Sequence, residues 1–361
     1  SSFLKEIQAS TVQPIEPVFL DFSKDLSLLK AKSDIPVIYK QNDTNDLFQL
    51  MYLFDMGNRN DKALGTAAQY LEYLGTSDMT PEEVKSEFYR MACTFFVSPG
   101  SERTYIVLMG LNENMPKAVE LFEKLLANAQ VNRDAYSNLV NDQLKRRKDA
   151  KLNQSQNFSR LMTYMEWGPK NHATNVLSEK ELKEMDPQEL VNRIHNLNSF
   201  KHRITYYGPS SQEDFLAVIN KEHNVPQTLK ELPEGIEFKQ QPTTETQIYI
   251  APYEAKQIYM AQYSNRGEKF DPAIESGRRI YNEYFGGGMN SIVFQEMRES
   301  RGLAYSAWVG LDKPGWPKYN YSFSTYIATQ NDKMTDAINT FNDIINNMPE
   351  SEAAFKLAKE G

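Results

Sequence analysis

A strand, a polar turn, an amphipathic helix and a closing glycine occur twice in this 361-residue chain, and that duplication limits the folds open to it. The first copy runs from Phe48 to Gly75 (FQLMYLFDMGNRNDKALGTAAQYLEYLG) and the second from Ile258 to Gly286 (IYMAQYSNRGEKFDPAIESGRRIYNEYFG). Their final glycines are 211 positions apart (286 − 75). Further on, MPKAVELFEKLL matches MTDAINTFNDII, with Ala118 opposite Ala337 and Phe122 opposite Phe341, an offset of 219 (341 − 122). The difference of 8 (219 − 211) falls in the loop LDKPGWPKYN, whose two prolines and glycine mark a surface connection. Two copies of one supersecondary unit at this separation imply two similar domains, each with its own core.

Extended runs such as TYIVLMGL (104–111) and YNYSFSTYIA (319–328) alternate in each copy with helical stretches such as Met115 to Ala129. That order predicts an α+β fold: two homologous α/β domains, each a largely antiparallel sheet covered by helices. Between the copies, a helical region from about Arg133 to Asn220 is broken by the strand-like KHRITYYG. The proline-rich VPQTLKELPEGIEFKQQPTTET then reads as a linker. The expected organisation is a connector at 1–34, a first domain at 35–223, a linker at 224–246 and a second domain at 247–361. The second copy stops at Gly361 after SEAAFKLAKE, without the roughly 90 residues that follow the equivalent point in the first, so it reads as truncated.

Composition removes several function classes. A net charge of −8 argues against a nucleic-acid partner, because phosphate neutralisation needs a basic surface. No apolar run approaches the roughly 18–20 residues of a membrane span. The opening SSFLKEIQAS lacks the basic and apolar regions of a signal peptide, which a half-protein would have lost in any case. The compartment of this soluble chain, cytoplasmic or periplasmic, is left open by the sequence. Cys93 is the sole cysteine; it follows the helical VKSEFYRMAC pattern and reads as a buried, inert thiol.

The most specific stretch is Phe285 to Tyr305, FGGGMNSIVFQEMRESRGLAY. Val293, Phe294 and Met297 give a helix an apolar face, Gly302 sits where a C-terminal cap is expected, and Leu303 to Val309 alternates like a strand. Arg298 then falls in the last helical turn and Tyr305 opens the strand, so this corner offers a guanidinium and a phenol O–H with no competing acceptor charge. The simpler reading gives Arg298 to the helix dipole, as Arg301 could equally serve, and Tyr305 to the strand.

The glycine turn, followed by an Arg and, seven residues later, a Tyr across a helix-to-strand corner, resembles the second half of the pitrilysin and insulin-degrading-enzyme family of zinc metallopeptidases, the inverzincins. The resemblance implies that the chain is the carboxyl-terminal half, third and fourth homologous domains, of a bacterial-type zinc metalloendopeptidase. Zinc and general base would lie in the amino-terminal half, which would be this chain's partner together with a peptide substrate. Arg298 and Tyr305 would hold the substrate carbonyl, where preorganised donors stabilise the charge that develops during hydrolysis. The fragment alone would carry no catalytic residue and no metal, and would be inactive.

In that family the zinc helix carries an inverted H-x-x-E-H. The matching helix here reads GTAAQYLEYLGT: Glu72 is present, but Gln69 and Tyr73 stand at the histidine positions. An amide and a phenol are poor zinc ligands, so the site should bind no metal. His172, His195, His202 and His223 form no ligand-spaced pair and read as structural or exposed. Gly286 to Gly288 precede a helix but lack the Lys-Ser/Thr of a phosphate loop. A second reading fits the degenerate helix equally well: a non-catalytic scaffold or peptide-binding subunit of the same family.

Overall fold

A computed structural model describes residues 2–10 and 16–360. Residues 1 and 11–15 of the expected connector, and the closing Gly361, lie outside the described residues. The chain divides into two compact units, Ser1–Arg133 with Asp186–Glu234, and Asp134–Met185 with Gly235–Gly361. Both are α+β, as the sequence predicts.

The first unit is built on a six-stranded sheet: β1 (Ser27–Lys30), β2 (Pro36–Gln41), β3 (Leu47–Phe54), β4 (Cys93–Pro99), β5 (Thr104–Leu111) and β6 (Arg203–Gly208), in the order β1-β2-β6-β3-β5-β4. Every neighbouring pair is antiparallel except β2 and β6, which run parallel. Strand β3 shows why the sequence pairs this way: Phe48, Leu50, Tyr52 and Phe54 alternate and are all buried. The helix Met115–Asn128 buries Ala118, Val119, Phe122, Leu125 and Leu126, the stripe expected of an amphipathic helix facing the core. The helix Pro81–Arg90 is started by a capping box between Thr80 and Glu83 and stops three residues before Cys93, which opens β4. Burial raises the Cys93 thiol pKa, as for an inert cysteine.

The second unit has a smaller antiparallel sheet, β7 (Gln257–Ser264), β8 (Ser306–Asp312) and β9 (Ser322–Gln330), in the order β7-β9-β8. Its core gathers Phe285, Val293, Met297, Val309, Ile327, Ala337, Phe341 and Ile344. Ala337 and Phe341 thus occupy the same core positions of their helix, Met334–Asn346, as Ala118 and Phe122 do of theirs. The helix Gln154–Trp167 also belongs to this unit, and its Phe158 meets the rings of Tyr259 and Tyr326 at 5.6 and 5.8 Å.

Candidate functional site

The corner that carries Arg298 and Tyr305 begins where the helix Glu275–Phe285 ends. Gly286 and Gly287 both donate to the Asn282 carbonyl, and a Cβ on Gly286 would lie 2.1 Å from the Val309 carbonyl oxygen, so only glycine lets the chain cross β8 so closely. Ser291 caps the next helical segment, its hydroxyl accepting from the Phe294 N–H at 3.4 Å. One α-helical turn, Ile292–Phe294, leads into a π-helical stretch, Gln295–Ser300. Such wider winding is uncommon and recurs at functional sites. Nothing in the sequence pattern announced it.

Val293 and Met297 are fully buried and pin the segment to the core. The Met297 carbonyl accepts from both Leu303 and Ala304, and Gly302 reverses the chain in the left-handed region at φ 57°. The strand expected from Leu303 therefore starts later, at Ser306, because residues 303 and 304 close the turn instead of pairing in the sheet. Tyr305 is already tied to β9 by its N–H, which donates to the Ala328 carbonyl, while its side chain is 69% exposed.

The turn brings the guanidinium carbon of Arg298 to 5.5 Å from the centre of the Tyr305 ring and 5.0 Å from that of Phe294. Both are cation–π distances. Arg301 instead pairs with Glu296 at 3.2 Å, a five-residue spacing that suits the π-helical winding. One expectation is corrected: the corner does hold an acceptor charge, Glu299, whose carboxylate stands 3.6 Å from the Arg298 Nε. The half-exposed pair is loose enough to leave guanidinium donors for another acceptor.

In the first unit, the helix Leu64–Leu71 buries Ala67, Ala68, Tyr70 and Leu71 and turns Gln69 outward; Glu72 and Tyr73 follow in the turn beyond it, also exposed. The three side chains share one face, and Lys85 places its ammonium 5.7 Å from the Tyr73 ring centre. The donor set here, an amide, one carboxylate and a phenol, does not fit a zinc ion. Among the described residues, no group of three or more His, Cys, Asp or Glu side chains is arranged to hold a metal.

Spacing alone did not disclose a buried polar chain in the same unit. His223 receives the Glu123 carboxylate at Nδ1 (2.7 Å) and faces His202 Nε2 with its own Nε2 (2.9 Å), while His202 Nδ1 meets the Phe200 carbonyl at 2.7 Å. Asn198 and the Asn224 N–H both donate to the second Glu123 oxygen at 3.0 Å. Burial, and then the neighbouring His223, lower the His202 pKa to about 4, so that ring is neutral at pH 7. His195 meets only the Ala129 carbonyl, at 3.1 Å, among these polar contacts. The chain joins the helices bearing Glu123 and His223 to the start of β6 and serves the core.

The corner of Arg298 and Tyr305 sits in one of two α+β units, and among the described residues neither unit holds a group suited to a metal. Residues 203–361 match the family model described as the peptidase M16 inactive domain. No curated protein sequence matches the chain. Among solved structures, the M16 inactive domain from Pseudomonas fluorescens is similar with a TM-score of 0.73 at 17% identity, over 93% of this chain and 82% of that one. The periplasmic protease PqqL from Escherichia coli gives 0.78 at 12% identity, and the ferredoxin protease FusC, solved with Arabidopsis ferredoxin, gives 0.69 at 11%. The alignments cover 98% and 99% of this chain but only 41% of the PqqL chain and 42% of the FusC chain. At these identities the likeness is one of fold. No helix among the described residues is long and apolar enough to cross a membrane.

Proposed function

We propose that the chain is the metal-free carboxyl-terminal half of a zinc-dependent peptidase, with 35–223 and 247–361 as its third and fourth homologous domains, joined by 224–246. The zinc and general base belong to the amino-terminal half. This half walls the peptide chamber, and Arg298 and Tyr305 bind the substrate carbonyl near the scissile bond. The observation that carries the reading is the corner itself: a glycine turn, a π-helical stretch and a left-handed glycine bring a guanidinium and an exposed phenol together. A carbonyl acquiring negative charge is the acceptor that such a pair suits.

The test uses the purified chain and the protein reassembled with a metal-bearing amino-terminal half. The chain alone should bind no stoichiometric zinc and cleave no peptide, and the assembled protein should lose turnover on Arg298→Ala. Chelator-sensitive cleavage by the chain alone, or normal turnover of the assembled Arg298→Ala protein, overturns the proposal.

The metal-unfit Gln69, Glu72 and Tyr73 face also supports a second reading, a non-catalytic scaffold or peptide-binding subunit. The retained Arg298 and Tyr305 favour the first, because a scaffold has no use for a carbonyl clamp. The two separate on whether the chain's natural partner carries an intact H-x-x-E-H.

A further inference from the structure

The corner holds a second aromatic side chain whose place the core does not explain. By residue type Phe294 belongs with Val293 and Met297 on one apolar face, but the structure separates them. Val293 and Met297 are fully buried in the core, while Phe294 is half-buried and stands outside that core among the described residues.

Its backbone is nonetheless fixed. The buried Val293 anchors the preceding residue, and the Phe294 N–H donates to the Ser291 hydroxyl. The ring therefore projects from a pinned point, with the Arg298 guanidinium carbon over it at 5.0 Å, closer than the same carbon is to the Tyr305 ring, at 5.5 Å. Four positions separate Phe294 from Arg298, about one helical turn, the spacing at which side chains meet on a helix.

Three groups compete for this guanidinium. The rings of Phe294 and Tyr305 attract it through their quadrupoles. Glu299, next in the chain, attracts it through a carboxylate 3.6 Å from Nε. The Arg298 side chain is 45% exposed and that of Glu299 54%, so solvent screens the ion pair to a strength comparable with a cation–π contact. Loss of the Phe294 ring would tip the balance towards Glu299 and away from Tyr305.

We propose that Phe294 is a positioning residue: its ring holds the Arg298 guanidinium beside Tyr305 and against capture by Glu299. Its effect on turnover rests on the carbonyl-binding role proposed above for Arg298 and Tyr305; its effect on where the guanidinium stands does not.

Two measurements test this. In the purified chain, with arginine selectively labelled, nuclear magnetic resonance reads the Arg298 δ-methylene protons, which nearby ring currents shift upfield. Phe294→Leu should return them towards the ordinary arginine position, whereas Phe294→Tyr, which keeps a ring, should leave them shifted. In the protein assembled with a metal-bearing amino-terminal half, Phe294→Leu should lower kcat about two- to fivefold with KM unchanged, the factor equivalent to one exposed cation–π contact. Phe294→Tyr should lose less, and adding Glu299→Gln to Phe294→Leu should recover most of the loss, because the competing carboxylate is gone.

Arg298 protons unmoved by Phe294→Leu overturn the proposal. So does a loss of turnover that Glu299→Gln leaves in full, since Phe294 would then be a purely structural residue. If Arg298→Ala lowers turnover and Phe294→Leu does not, the positioning role falls while the carbonyl-binding role stands. Normal turnover of Arg298→Ala sinks the carbonyl-binding role, and the proton shifts in the chain alone then decide whether Phe294 places the guanidinium.

Discussion

The Arg298 guanidinium stands 5.5 Å from the Tyr305 ring centre because the chain reverses between them at Gly302. In the peptidase we propose, each residue contributes one donor to the substrate carbonyl. Arg298→Ala in the assembled protein should lower kcat about 100- to 1000-fold, the usual cost of one lost oxyanion donor. Both side chains are exposed enough that the unfolding midpoint should stay within the narrow range of surface substitutions. Peptide turnover and calorimetry check the two halves of this statement.

Gln69→His combined with Tyr73→His should create measurable zinc binding by isothermal titration. The positions are four apart on the exposed face that also presents Glu72, so two imidazoles would meet one ion. The parent chain should show no heat of binding. Equal titration of parent and variant would mean that the metal goes elsewhere.

Stability should fall on mild acidification. The folded pKa of His202, about 4, lies below its ordinary 6.5, so the unfolded chain binds more protons between those values. The stability is complete above pH 6.5 and is lost as pH falls towards 4, by up to about 3 kcal/mol from this group. Denaturant titrations at pH 7, 5.5 and 4.5 would measure the slope, and His202→Phe should flatten it.

Glu123→Ala should be among the most damaging single substitutions in the first unit. It leaves the His223 ring, the Asn198 amide and the Asn224 N–H without their shared acceptor in the core. About 3–5 kcal/mol is the usual cost of breaking a buried polar pair of this kind. Glu123→Gln should recover part of it, since an amide oxygen can still accept; chemical denaturation reads both.

Gly286→Ala should destabilise the second unit by at least about 1–3 kcal/mol, since the added methyl meets the Val309 backbone at 2.1 Å and neither side is a flexible side chain. Amide exchange would show the loss confined to β7, β8 and β9 and their helices if the units unfold independently.

Alternation in FQLMYLF and the apolar stripe of MPKAVELFEKLL made β3 and its covering helix legible, because one buried face writes a period into the sequence. The partners of Glu123 were not legible: His223 lies 100 positions away in sequence, and only the packing of their two helices brings it close. The corner was legible as residue types and spacing. Its π-helical winding was not, because i→i+5 bonding leaves no pattern distinct from an ordinary helix end.

That winding makes segment length itself a determinant. A π-helical stretch holds one residue more than the α-helical path it replaces, so deleting one residue within 295–300 would rewind the turn and rotate its far side by about 100°. Deleting Glu299 or Ser300 would shorten the interval by one and swing the guanidinium away from Tyr305 with both side chains intact. The seven-position interval is therefore a mechanical gauge, and a single codon lost could abolish the pair as surely as replacing either residue.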